Sequence, residues 1–376
     1  MKRIAARIIL LAGMLLGLPL LGVWIHGNPV GPYLQFPPMT RRVMPAEFSW
    51  VAFVLVIAIE ASLLWPCLRR IVQTWQRLRA ASLSPPRAPG DRFPWWGWVG
   101  LALGALAWIM AWTRFEWFRP LQPHTFTPLW IAYILVVNAL TRQRAGQCMI
   151  THRPRLFALL FPVSAAFWWF FEYLNRFVCN WHYVGAEFGP LEYFIYATLP
   201  FATVLPAVLG TAECLRSIPI MEKAFENFSP WRYTASRSVA VTVLILSGVG
   251  LLCIGIFPQF LFPLLWLAPL AIVLSIQSLD KEDHVFVPLR HGDWRVIMSA
   301  ALGALVCGFF WEMWNVNSLA KWVYTVPLVH RFQVFEMPLA GYGGYLPFGV
   351  ECLIVGEWIR QSLNTRRHAQ ESRRTT

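Results

Sequence analysis

Residues 167–206 read FWWFFEYLNRFVCNWHYVGAEFGPLEYFIYATLPFATVLP, and the skeleton of this stretch returns near the C-terminus between Phe309 and Phe348. The first copy runs Glu172, Asn175, Trp181, Tyr183, Glu192, then Leu199-Pro200-Phe201, and the second runs Glu312, Asn315, Trp322, Tyr324, Glu336, then Leu346-Pro347-Phe348. Subtraction gives offsets of 140 (312 − 172 and 315 − 175), 141 (322 − 181 and 324 − 183), 144 (336 − 192) and 147 (346 − 199). The same residue types recur in one order and drift apart by only a few loop residues, which argues for an internal duplication. Each copy reads as an apolar helix ending in Glu-x-x-Asn, a polar aromatic loop, and a returning apolar helix.

The solvent follows from composition. Of 376 residues, 57% are hydrophobic and only 14% charged, with a mean hydropathy of +0.49. That composition belongs in a bilayer rather than in water. The 21 Trp fit the same conclusion, because an indole suits the membrane interface. The net charge of +13 comes from Arg clusters between apolar runs, the pattern of cytoplasmic loops, and no nucleic-acid partner is expected. The scattered Cys residues show neither CxxC nor paired spacing, so neither a zinc site nor a disulfide framework is indicated.

The fold class read from the chain is all-α, a polytopic membrane protein of about ten transmembrane helices with an internal parallel repeat. Residues 1–24, with Lys2, Arg3 and Arg7 ahead of an apolar run, form a first helix rather than a cleaved leader, since residues 22–26 make a poor cleavage site. Further spans are expected at about Trp50–Leu68, Trp95–Thr113, Thr127–Leu140, Leu156–Phe177, Pro190–Leu215, Val239–Ile256, Phe260–Leu279, Val296–Asn315 and Pro338–Ile359. This divides the chain into a two-helix segment with a basic loop (1–94), two four-helix repeats (95–237 and 238–360) and a basic, disordered tail (361–376). Phe126-x-x-x-Trp130 and Phe262-x-x-x-Trp266 extend the repeat, which is of the parallel kind related by an axis along the membrane normal. Ten spans place the Arg-rich segments at 69–92, 141–155, 216–237, 280–295 and the tail on the cytoplasmic side, with both termini in the cytoplasm and the protein in the inner membrane. Arg41, Arg42, Arg114 and Arg119 fall on the other side.

Candidate chemistry lies in the repeat. Spacing i, i+3 puts Glu172 with Asn175, and Glu312 with Asn315, on one helix face. Carboxylates in membrane helices are costly and mark a function by default, although near an interface a Glu also serves simply to orient a loop. Glu192 and Glu336 open the return helices, where an acidic group equally suits the positive end of the helix dipole. Four carboxylates converging at one centre would not all stay ionised, leaving a general acid. Trp181, Tyr183, Trp322 and Tyr324 either line a substrate pocket, with ring faces suited to a cation, or belong to the aromatic belt. His182 and His330 share the outer loops, but no spacing fixes a metal site and none is expected. Glu60, Glu213 and Glu351 have no counterpart in the repeat and read as lone cavity or interface groups.

The sequence Phe171-Glu172, Trp181-x-Tyr183, Pro190-Leu191-Glu192-Tyr193 resembles the hairpin of the small integral-membrane lycopene cyclases of bacteria and fungi. Tyr193 and Met337 stand where that family carries a second Glu. The resemblance implies acid-initiated cyclisation of a polyene without cofactor turnover, with Glu192 as proton donor and Glu172 as its partner. The expected activity is acid–base chemistry on an isoprenoid or lipid-like substrate at the duplicated sites, with no cofactor. The alternatives are a transporter or channel whose repeats rock about the same site, since broken helices at matching places also suit transport, and a scaffold for an envelope assembly.

Overall fold

The computed structural model describes residues 9–37, 40, 42–81, 92–231 and 236–374, with side chains to residue 365. Lys2, Arg3, Arg7, Arg41 and Arg87 of the basic segments lie outside the described residues. The main helices are α1 (Ile9–Ile25), α2 (Trp50–Ala80), α3 (Trp95–Trp112), α4 (Phe126–Ala145), α5 (Pro154–Val178), α6 (Pro190–Phe201), α7 (Val204–Arg216), α8 (Arg237–Cys253), α9 (Leu264–Leu279), α10 (Arg295–Val316) and α11 (Tyr345–Arg374). Six helices among the described residues are long and apolar enough to cross a membrane, or seven if α4 is joined to the bent 3-10 segment Glu116–His124 before it. In this count α6 and α7 act as one span, Pro190–Arg216, and α1, α8 and α9 are shorter apolar helices. The protein is a predominantly helical, multi-span membrane protein with only short strands.

Several boundaries differ from the sequence reading, each for a local reason. The second span does not stop at Leu68: α2 continues to Ala80, because Arg70 is anchored to the carbonyls of Ala224 (3.2 Å) and Asn227 (3.0 Å) rather than left in a loop. The last helix does not stop at Ile359, and the tail read as disordered is helical to Arg374; the residues after Ile359 are mostly helix formers, and Arg360 pairs with Glu357 one turn back at 2.6 Å. The sixth span is not one rod. It breaks between α6 and α7 after Pro200, a residue that removes a backbone donor from the helix.

Small residues let the helices approach closely, as membrane packing requires. A side chain at Gly303 of α10 would press on the backbone of Val208 and Ala212 in α7, and one at Gly22 of α1 would overlap the Leu252 carbonyl of α8. The loops sort into two sets at opposite ends of the bundle. At one end the Ser49 N–H donates to Leu328 (2.8 Å), Arg114 to the Asn317 carbonyl (2.7 Å) and Arg176 to the Tyr33 carbonyl (2.6 Å). At the other, Phe228 N–H donates to Gly292 (2.9 Å), Trp231 N–H to Leu289 (2.8 Å), and Arg153 pairs with Glu213. Two short strands, β1 (Trp181–Val184) and β2 (Lys321–Tyr324), pair antiparallel at the first end.

Candidate functional site

The site is built where α5 and α10 end. In each, the side-chain amide of the Asn pairs with the backbone of the strand that follows. Asn315 Nδ2 donates to the Trp322 carbonyl (2.8 Å) and its Oδ1 accepts the Trp322 N–H (2.9 Å). Asn175 Nδ2 donates to the Trp181 carbonyl (2.8 Å), and its Oδ1 accepts from the N–H groups of Asn180 (2.8 Å) and Trp181 (3.4 Å). The chain leaves α5 through Cys179 in the left-handed conformation (φ 52°), and the Asn completes the turn by mimicking a peptide partner for the Trp. Both Asn side chains are therefore spent on holding the turn, Asn175 Nδ2 donating also to Thr40 Oγ1 (3.0 Å).

Holding the Trp in place aims its ring N–H at the Glu one turn earlier. Glu172 Oε1 accepts from Trp168 Nε1 (3.1 Å), Trp181 Nε1 (3.0 Å) and Tyr183 OH (2.6 Å). Glu312 Oε1 accepts from Tyr324 OH (2.7 Å), Tyr345 OH (2.9 Å) and, more distantly, Trp322 Nε1 (3.4 Å). Both Glu residues have no exposed surface, and in both Oε2 has no hydrogen-bond partner. Two donors come from equivalent places in each copy, and the third does not. The position four before Glu172 is Trp168, which donates; the position four before Glu312 is Gly308, where a side chain would overlap the ring of Tyr345. Gly308 thus admits Tyr345 as the third donor, while at its matching position (345 − 147 = 198) Thr198 accepts from Trp169 (2.9 Å) instead.

The strands bring the copies together. Trp181 lies opposite Tyr324, His182 opposite Val323 and Tyr183 opposite Trp322. Alternation along a strand then puts Trp181, Tyr183, Trp322 and Tyr324 on one face of the ribbon, and exchanging the copies maps the register onto itself. Burial, and after it the neighbouring Glu carboxyl, push the hydroxyls of Tyr183 and Tyr324 well above the usual tyrosine range, so both remain donors. On the reverse face His182 is buried and its ring is held below the ordinary histidine value by desolvation and by the charge of Arg42.

The aromatic face of the ribbon borders a cavity of about 980 Å³, near the upper end of the size of small-molecule sites. All four ribbon aromatics line it, as do Trp168 and Tyr345, with Trp266 stacked on Trp181 at 5.9 Å closing the cluster. Glu172 and Glu312 are not on the lining; they stand behind the aromatic wall and hold it. Glu192 is exposed and caps α6, its Oε2 accepting the Gly189 N–H at 3.1 Å. Glu336 pairs with Lys321 at 2.5 Å, and only Lys321 reaches the lining. The structure thus joins Glu172 and Glu312 to the four aromatics, leaves Glu192 as a helix cap, and ties Glu336 to Lys321 of β2, near enough to Glu312 to act on it through charge.

The cavity also uses Trp168, Tyr345 and Lys321, which the sequence reading passed over, Trp266, which it read only as part of the repeat, and Glu60, which it read as a lone cavity or interface group. The Glu i−4 spacing of Trp168 was the available signal, since i and i+4 share a helix face; Tyr345 had none, because its place beside Glu312 is opened by the missing side chain of Gly308. Among the described residues no group of His, Cys, Asp and Glu could hold a metal ion. Comparison with protein-family models, curated proteins and solved structures finds no match to this chain.

Proposed function

We propose that the protein binds an isoprenoid or lipid-like molecule in the cavity beneath the ribbon and performs acid–base chemistry on it at the two carboxyl-backed tyrosine clusters. The observation that carries this is a cavity of about 980 Å³ walled by aromatic side chains and backed by two buried carboxyls. Its lining includes Ile59, Leu63 and Leu267, which are 59%, 60% and 46% exposed, and in this reading an apolar molecule enters past them. In this reading the tyrosine oxygens of Tyr183, Tyr324 and Tyr345 meet the substrate. The carboxyl behind each takes or returns the proton through the hydrogen bond it already shares. Such a relay accounts for buried carboxyls that do not touch the cavity. The test is an untargeted comparison of lipid extracts from cells lacking the protein, cells with it, and cells carrying Glu172→Gln or Tyr183→Phe. A species made only with the intact pair is expected, and identical extracts reject the enzyme.

The membrane frame proposed with it is ten crossings. The seven spans counted with the bent pair, together with the shorter apolar α1, α8 and α9, give 7 + 3 = 10. The self-matching ribbon register and the paired clamps support an ancestral duplication, with copies parallel about an axis through the His182–Val323 pair. The Arg-rich loops support both termini in the cytoplasm and an inner-membrane location.

One observation favours transport as a second reading. The break between α6 and α7 and the 3-10 turn Leu339–Gly344 before α11 both flank the cavity, as interrupted helices do in transporters. Release of a preloaded lipid probe from one leaflet to the other in proteoliposomes, without chemical change, would favour it.

A further inference from the structure

The cavity has carboxyl groups of its own, and neither belongs to a clamp: Glu60 and Glu187 are on the lining. Glu60 sits near the middle of α2, whose buried residues are only Cys67 and Thr74. A carboxyl in the middle of an apolar membrane helix is costly and is kept where it faces a cavity with a task. The glycine-rich turn is shaped around it. Gly343 N–H donates to the Glu60 carboxyl, and a side chain at position 343 would overlap the Glu60 carboxyl. One backbone donor leaves most of the carboxyl's acceptor capacity open toward the cavity.

We propose that Glu60 recognises the polar end of the bound lipid, and that this end is a hydrogen-bond donor, a hydroxyl or an amine, rather than a phosphate or carboxylate. The inference rests on the cavity being the ligand site and adds the class of ligand. Charge decides it. The one Lys or Arg on the lining, among the described residues, is Lys321, and its ammonium is already taken by Glu336 (2.5 Å) and the Val316 carbonyl (3.2 Å). An anionic head brought to Glu60 would meet its carboxyl, with the exposed Glu187 also on the lining, and no free cation there to offset them. A hydroxyl or amine donates to Glu60 instead, while its apolar chain lies against the aromatic wall.

The experiment uses the full chain in nanodiscs and native mass spectrometry with four probes: geranylgeraniol, geranylgeranylamine, geranylgeranyl pyrophosphate and squalene. The wild type should retain squalene and at least one of the alcohol and amine, the better of the two naming the head group, but not the pyrophosphate. Glu60→Leu, a residue suited to a lipid-facing helix, should weaken retention of the donor-headed probe about tenfold, the loss of one hydrogen bond to a carboxyl, and leave squalene unchanged. Gly343→Ala, which pushes the carboxyl aside, should give the same selective loss. Equal retention by Glu60→Leu, or retention of the pyrophosphate as well as the alcohol, overturns the inference. Loss of squalene together with the donor-headed probe in both variants also overturns it, in favour of a structural role. A wild type that retains none of the four rejects the lipid cavity itself.

Discussion

At the scale of single residues, Glu172 illustrates how a buried carboxyl is tolerated in an apolar bundle. Three donors converge on one oxygen, from Trp168, Trp181 and Tyr183, and they depend on the carboxyl as much as it depends on them. Glu172→Leu would leave those donors facing hydrocarbon, at a cost of about 3–5 kcal/mol. Glu172→Gln keeps an acceptor oxygen and should lose much less. Thermal unfolding of the purified protein should therefore rank wild type above Gln and Gln well above Leu; equal melting of the two variants would show that the clamp is not what holds the ribbon. Gly308 gives a sharper test, because its role is to make room for Tyr345. Gly308→Ala should destabilise by displacing the Tyr345 hydroxyl from Glu312. Once Tyr345→Phe has removed that hydroxyl, the same substitution should cost less, with a coupling of about 0.5–3 kcal/mol in the double-mutant cycle. Strict additivity would separate the glycine from the clamp.

At the scale of elements, the ribbon is the part of the design least legible in the sequence. The apolar helices announce themselves by length and composition, and the recurrence of Glu-x-x-Asn and Trp-x-Tyr is visible without any structure. What that recurrence is for was hidden. Trp181-x-Tyr183 reads equally as an interface belt, and a strand of four residues has too few alternations to declare itself against a loop. Its partner lies 141 residues away, by 322 − 181, so no local signal could pair them. The position of Glu60 was hidden for a related reason: nothing near it in sequence shows that a glycine turn in another helix will cradle it. The pairing makes a direct prediction. Cysteines placed at His182 and Val323, opposite each other in the register, should be joined by a short bifunctional thiol reagent in a background free of the native Cys. Cysteines at His182 and Arg331 should not. Joining of both pairs, or of neither, would mean that the ribbon does not hold this register in the membrane.

At the scale of the whole molecule, the loop contacts constrain the path through the bilayer more tightly than the helix count does. Loops that hydrogen-bond to one another lie on one side, so an even number of crossings must separate them. The ribbon ties residues 181–184 to 321–324, and the Ser49–Leu328 bond ties the segment before α2 to the same end. At the other end Arg70, Phe228 and Trp231 are tied to neighbouring loops, and these are the Arg-rich segments that the positive-inside rule places in the cytoplasm. One of the Arg residues that break that rule, Arg114, is held by the protein itself, as is Arg331 in the same set of loops. Arg114 donates to the carbonyls of Ala111, Thr113 and Asn317, and Arg331 lies 4.6 Å over the Phe48 ring, so their charge is spent on outer-loop structure rather than on orientation. Parity alone would survive if α8 and α9 failed to cross as a pair, since both would drop out together. Labelling settles that case. In a background without native Cys, single cysteines at Asn28 and Glu187 should react with a membrane-impermeant maleimide added to intact cells, and cysteines at Gln147 and Asp283 should not. A cysteine at Gln259, in the short connection between α8 and α9, should behave like the outer pair. If it reacts only after the membrane is opened, α8 and α9 form a hairpin that does not cross, and the chain makes eight crossings instead of ten with the ribbon unchanged.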